Sequence, residues 1–118
     1  MQKQSLDVIR GTLDVIILKT LSWGPLHGYA IAQWIRQQTD DALLVEEGAL
    51  YPALYRMEGK GWIEAEWGLS ENNRRAKYYR LTETGRARLE SETRTWEHYA
   101  AAVGKILGAT RGAQAVGG

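Results

Sequence analysis

A chain of 118 residues with 15 Lys and Arg against 14 Asp and Glu, and 44% hydrophobic content, has the make-up of one small globular unit. That composition excludes wholesale disorder, collagen-like or repeat architecture and a second full domain. Without cysteine there are no disulfides or thiolate metal sites to supplement a modest core, which leaves oligomerisation as the common supplement.

The N-terminal MQKQSLDV has neither the apolar stretch nor the cleavage site of a secretory leader, and no run of about 18 uncharged apolar residues exists, so a cytoplasmic protein with no membrane span is expected. Five Trp, six Tyr and no Phe mean that every large ring carries a polar edge. Such rings suit interfaces and ligand walls as well as a small core.

The first predicted element is a largely buried helix over Thr12 to Ser22, apolar on most sides and stopped by Gly24 and Pro25. A second helix runs from about Gly28 to Thr39 with Ile31, Trp34, Ile35 and Gln38 at helical spacing. Leu43, Leu44 and Val45 form a short extended bridge. Glu46 and Glu47 then place negative charge at the start of a third helix, about Gly48 to Lys60, which Gly61 ends.

After Gly61 the period changes. Trp62 to Ser70 alternates as a strand, Lys77 to Glu83 reads as a second, and Glu71 to Ala76 is the polar loop between them. Its Asn72–Asn73 pair tolerates left-handed backbone, which gives a hairpin with a basic tip. Thr82 caps a long helix from about Glu83 to Leu107, and the Gly- and Ala-rich residues 108–118 are expected to be a disordered tail.

The implied fold class is mainly α with a small β-hairpin: a winged helix-turn-helix over 1–82 and a long C-terminal dimerisation helix over 83–107. Fold alone does not give function, since winged helices also serve as protein-interaction modules that read no DNA. No catalytic constellation is present: His27 and His98 are far apart, and there is no Gly-rich phosphate loop, HExxH or nucleophile elbow. The chain reads as no enzyme, with no cofactor and no metal.

The net charge of +1 conceals an asymmetry. Arg74, Arg75, Lys77, Arg80, Arg86 and Arg88 face one acid, Glu83, in the stretch 74–88, whereas 40–47 holds four acids and no base. A positive wing beside a helix is the footprint of phosphate binding; a solvated basic turn is the plainer alternative.

On the third helix, Leu50, Leu54 and Met57 share one face, and Gly48, Pro52, Tyr55, Arg56 and Gly59 point away from it. Gly48, Ala49 and Pro52 allow close approach to a groove. Tyr51 on the flank is placed to donate to a phosphate, and Arg56 to reach a phosphate or a guanine edge. Tyr51 and Tyr55 packing on the hairpin is the competing placement.

Three segments, 11–35, 46–63 and 72–89, resemble the PadR family of bacterial transcriptional regulators. They are GTLDVIILKTLSWGPLHGYAIAQWI, EEGALYPALYRMEGKGWI and NNRRAKYYRLTETGRARL. The resemblance implies that His27, Gly28 and Tyr29 open the second helix, that Leu50, Tyr51, Pro52 and Leu54 mark the recognition helix, and that Arg75, Lys77, Tyr78, Tyr79, Leu81, Thr82 and Gly85 belong to the wing and the segment after it. Met57-Glu58 departs from the family's usual Leu-Glu.

Tyr29, Gly48, Ala49, Tyr51, Pro52, Tyr55, Arg56, Asn73, Arg74, Arg75 and Lys77 are therefore the expected contacts to a double-stranded DNA operator. The resemblance further implies a homodimeric repressor of the short subgroup, in which a single C-terminal helix dimerises and some members stack a planar aromatic effector on a Trp of that helix. Leu89, Trp96, Tyr99, Val103 and Ile106 form the matching stripe at near-heptad spacing. Trp96 stands as either an interface anchor or the effector platform.

Overall fold

The computed structural model describes residues 6–7 and 12–114. In chain order the elements are β1 (Leu6–Asp7), α1 (Leu13–Thr20), a single 3-10 turn (Leu21–Trp23), β2 (Leu26–His27), α2 (Gly28–Gln38), β3 (Leu43–Leu44), α3 (Glu47–Gly59), β4 (Ile63–Leu69), β5 (Arg75–Leu81) and α4 (Glu83–Leu107).

The first helix ends earlier than the apolar run suggests. Thr20 Oγ1 turns back onto the Ile16 carbonyl at 2.7 Å and Ser22 Oγ onto that of Lys19 at 2.6 Å. Hydroxyls that bond the preceding turn compete with the helix ladder, and the last residues tighten into the 3-10 turn. Gly24 follows at φ 149°, ψ 175°, a region only glycine enters freely.

Two strands absent from the sequence-based expectation, β1 and β2, are each two residues long and exist through their partners. β1 pairs in parallel with β3, and β2 pairs antiparallel with β5 in the order β2-β5-β4.

The hairpin loop is Ser70 to Arg74, so Arg75 and Ala76, expected in the loop, belong to β5, and the second strand ends two residues earlier than expected. Pairing of Leu69 with Arg75 and Gly68 with Ala76 decides this. Asn73, at φ 59°, takes the left-handed turn position, and its N–H donates to the Ser70 carbonyl at 2.9 Å.

One core joins the elements. Ile17, Leu18 and Leu21, Ile31 and Ile35 of α2, Leu50, Leu54 and Met57 of α3, and Ile63 are all essentially sealed from solvent. α4 packs on α1 and on β5. The Thr82 hydroxyl accepts from Gly85 N–H at 3.0 Å and donates to the Gly61 carbonyl at 2.6 Å, tying the helix cap to the α3–β4 turn. Leu89 packs partly buried against the core, and beyond it α4 runs out with Tyr99, Val103, Ile106 and Leu107 exposed. Of the tail, residues 108–114 form turns and bends with exposed side chains, and 115–118 lie outside the described residues.

Candidate nucleic-acid interface

Helix α3 buries Leu50, Ala53, Leu54 and Met57 and leaves Gly48, Ala49, Pro52, Tyr55 and Gly59 exposed. Pro52 lies more than one turn into the helix, not in its first turn, so its missing N–H leaves the Gly48 carbonyl without an i+4 partner on that open side. Tyr55 is 80% exposed, so it does not pack on the hairpin.

Tyr51 lies between α2 and Tyr79 of the hairpin. Its ring lies over Gly28 at the start of α2, so close that a Cβ on Gly28 would meet the hydroxyl at 2.7 Å. The α2 N-terminus is capped by His27, whose Nδ1 accepts from Ala30 N–H at 3.1 Å. The His27 ring meets Tyr78 edge-on, 5.4 Å between centroids.

Between this helix end and the wing opens a cleft of about 580 Å³, bordered by Gly28, Tyr29, Tyr51, Trp67, Arg74, Arg75 and Lys77. The Arg75 guanidinium stacks 4.5 Å from the Trp67 ring centroid. Among the described residues Arg74 and Arg75 make no ion pair, and both are exposed.

The rest of the basic stretch is distributed differently from what its linear run suggests. Lys77 Nζ reaches Glu58 Oε1 at 3.3 Å, Arg80 pairs with Glu64 across the other face of the hairpin at 2.6 Å, and Arg88 pairs with Glu92 along α4 at 2.5 Å. Uncompensated positive charge at the wing therefore concentrates at the Arg74–Arg75 tip. Burial pushes the Tyr79 hydroxyl above its usual range, with Glu58 and Tyr51 adding to the rise and Lys77 opposing it.

Arg56 is the expected contact that the geometry redirects. Its two terminal nitrogens form a fork on both Asp14 oxygens of α1, at 2.8 and 2.6 Å. The hydrogen bond to Asp14 raises its pKa further above an already high value, so it is a fixed cation turned toward α1. Asp14 lies 42 residues away in the chain, and no local pattern marked it as a partner.

On the opposite side, a groove of about 830 Å³ runs between α1, α2 and α4, lined among others by Val15, Ile16, Trp34, Leu43, Leu89 and Trp96. Trp96 is 45% exposed at its edge. The sequence places Trp34 on the helically spaced stripe of α2, and the structure sets that stripe against the groove. The surplus of apolar faces on α1, more than one core needs, was the sequence signal for the groove's other wall. Among the described residues no helix is long and apolar enough to cross a membrane, and no group of three or more His, Cys, Asp or Glu could hold a metal ion.

The sequence profile described as "Transcriptional regulator PadR-like family" matches residues 17–91, more than half of the chain. The chain belongs to the PadR-like family. It is 38% identical over 90 residues to a Lysinibacillus sphaericus protein described as uncharacterized, covering 76% of this chain and 83% of that one.

A transcriptional regulator from Clostridium thermocellum superposes with a TM-score of 0.75 at 36% identity, covering 82% of this chain and 94% of that one. A PadR family transcriptional regulator from Eggerthella lenta gives 0.70 at 32% identity, covering 86% of each chain. The PadR-like assignment places the chain among transcriptional regulators rather than enzymes, and the winged-helix fold expected from the sequence is the fold these structures share.

Proposed function

We propose that this PadR-like protein is a homodimeric repressor that binds a pseudo-palindromic DNA operator in the cytoplasm, with residues 1–82 as the DNA-binding domain and 83–107 as the dimerisation helix. The observation that carries the DNA reading is the unpaired Arg74–Arg75 tip facing the α2 N-terminus across a cleft, beside an α3 face left small by Gly48, Ala49 and Pro52.

Tyr29, Tyr51, Asn73, Arg74 and Arg75 would hold the phosphates, Lys77 contributing once it leaves Glu58, while Gly48, Ala49, Pro52 and Tyr55 enter the major groove. Arg56 is left out of this set because Asp14 holds it.

The exposed stripe Trp96, Tyr99, Val103 and Ile106 supports pairing with a second copy, with Leu89 closing the stripe at its inner end. A two-fold dimer sets the recognition helices about 34 Å, or a multiple of it, apart. The apolar groove at Trp96 supports a planar aromatic effector whose binding alters that spacing.

The test is gel-shift and footprinting on duplexes from upstream of the protein's own gene. A two-fold footprint with a clear preference over scrambled sequence is expected. A protein that binds all duplexes equally, or none, would return the chain to the protein-interaction reading.

A further inference from the structure

Which bases a recognition helix can distinguish depends on the chemistry of its outward side. α3 contains no Asn, Gln, Lys, Ser or Thr and one Arg. With Leu50, Leu54 and Met57 inward, the helical period puts Gly48, Pro52, Tyr55 and Gly59 opposite the core and Ala49 on the same flank as Arg56, two turns before it.

The two pairings that read purines in the major groove are Arg or Lys onto guanine O6 and N7 and Asn or Gln onto adenine N6 and N7. The second is absent from α3, and the first is removed by the Asp14 fork on Arg56. Glu47 can only accept, which suits cytosine and never guanine. The exposed remainder is the Ala49 methyl, the Pro52 ring and the Tyr55 ring with its hydroxyl, so apart from that one hydroxyl it is apolar. A Cβ at Gly48 would meet open space, so nothing within the chain calls for a bare backbone there. The base-edge feature such a surface recognises is the C5-methyl of thymine.

We propose that α3 reads its half-site through thymine methyl groups, contacted by Ala49 and Pro52 with Tyr55 beside them, and that Asp14 is a specificity-determining residue because it withholds Arg56 from guanine. This rests on the proposed DNA-binding function and deepens it. The helix then discriminates by shape and methyl contact, and affinity comes from the wing and the α2 N-terminus.

The test uses the intact chain and two random duplex libraries, one with thymine and one with deoxyuridine in its place, which lacks only that methyl. From the thymine library we expect enriched half-sites with thymines at two or more fixed positions. Replacing one of them with deoxyuridine weakens binding by about fourfold. Folded Pro52→Ala or Ala49→Gly protein, checked by circular dichroism, loses that dependence at one position each, and Arg56→Ala keeps the enriched sequence.

Asp14→Ala frees Arg56, and guanine appears in the selected half-site or the salt slope steepens by about one per protomer. The uracil comparison needs no variant, so a misfolded mutant leaves it intact. Enriched duplexes that bind equally well with deoxyuridine, or an enriched guanine whose 7-deaza analogue weakens the parent but not Arg56→Ala, overturn the proposal. Enrichment from neither library would instead overturn the DNA-binding function itself.

Discussion

Replacing Gly85 with alanine should destabilise the fold by about 3 kcal/mol, against the ordinary expectation for glycine in a helix. Gly85 is buried in the first turn of α4, and a Cβ there would lie 2.0 Å from the Trp62 carbonyl oxygen and 3.1 Å from Leu81 Cδ2. The first distance is well over 1 Å short of ordinary contact at about 3.5 Å, and the obstacle is backbone, which cannot swing aside.

The Trp62 oxygen accepts from Thr82 N–H at 3.1 Å and the Gly61 oxygen from the Thr82 hydroxyl at 2.6 Å, so pushing α4 away from the α3–β4 turn loosens two hydrogen bonds. At about 1 kcal/mol each, plus about 1 to 3 for the overpacking, less about 1 regained in helix propensity, the net loss is about 2 to 4 kcal/mol. Against a total stability of about 5 to 15 kcal/mol that is a large fraction.

Urea unfolding followed by tryptophan fluorescence, at fixed protein concentration, should show the midpoint falling by about 1 to 2 M. A Gly85→Ala protein as stable as the parent, or more so, would refute the close packing of α4 on the base of the wing.

Gly28, which lies under the Tyr51 ring, behaves differently. Gly28→Ala displaces only the Tyr51 ring, so stability should stay within about 1 kcal/mol while duplex affinity drops about tenfold; intact affinity in a folded variant would remove Tyr51 from the interface. Truncation after Leu89 removes the exposed stripe of α4 and should give an unstable monomer, read by sedimentation and thermal melting; a well-folded monomer for the intact chain would contradict the dimer. A planar cationic aromatic should quench tryptophan fluorescence saturably, and Trp96→Ala should abolish the response; quenching that survives places the guest against Trp34 or Trp23 instead.

The features legible in the sequence were those set locally. The Thr82 cap and the start of α4 follow from one residue and its third neighbour, and Asn73 in the left-handed region follows from its residue type. The inward and outward sides of α3 follow from the spacing of Leu50, Leu54 and Met57.

Long-range pairing decided what was missed. Arg75 and Ala76 carry no alternation of their own and became strand by registering with Leu69 and Gly68. β1 and β2 are too short to have a period. The charge run from Arg74 to Arg88 read as one basic patch because the carboxylates that neutralise half of it, Glu58, Glu64 and Glu92, approach from α3, from the opposite strand and from the next turn of α4. The sequence reads Arg56 as pointing away from the core, and its partner is set by how α1 crosses α3, which no spacing within either helix encodes.

Salt dependence of duplex binding tests the central claim most directly. For the parent protein, log affinity should fall steeply and linearly with log salt concentration. In the Arg74→Ala/Arg75→Ala double variant the slope should be shallower by about 0.9 for each phosphate no longer neutralised, or about 3 to 4 for a dimer giving up two per protomer, with sequence preference retained. A double variant whose affinity and slope both match the parent across the salt series would contradict the assignment of the wing tip as the DNA-binding element.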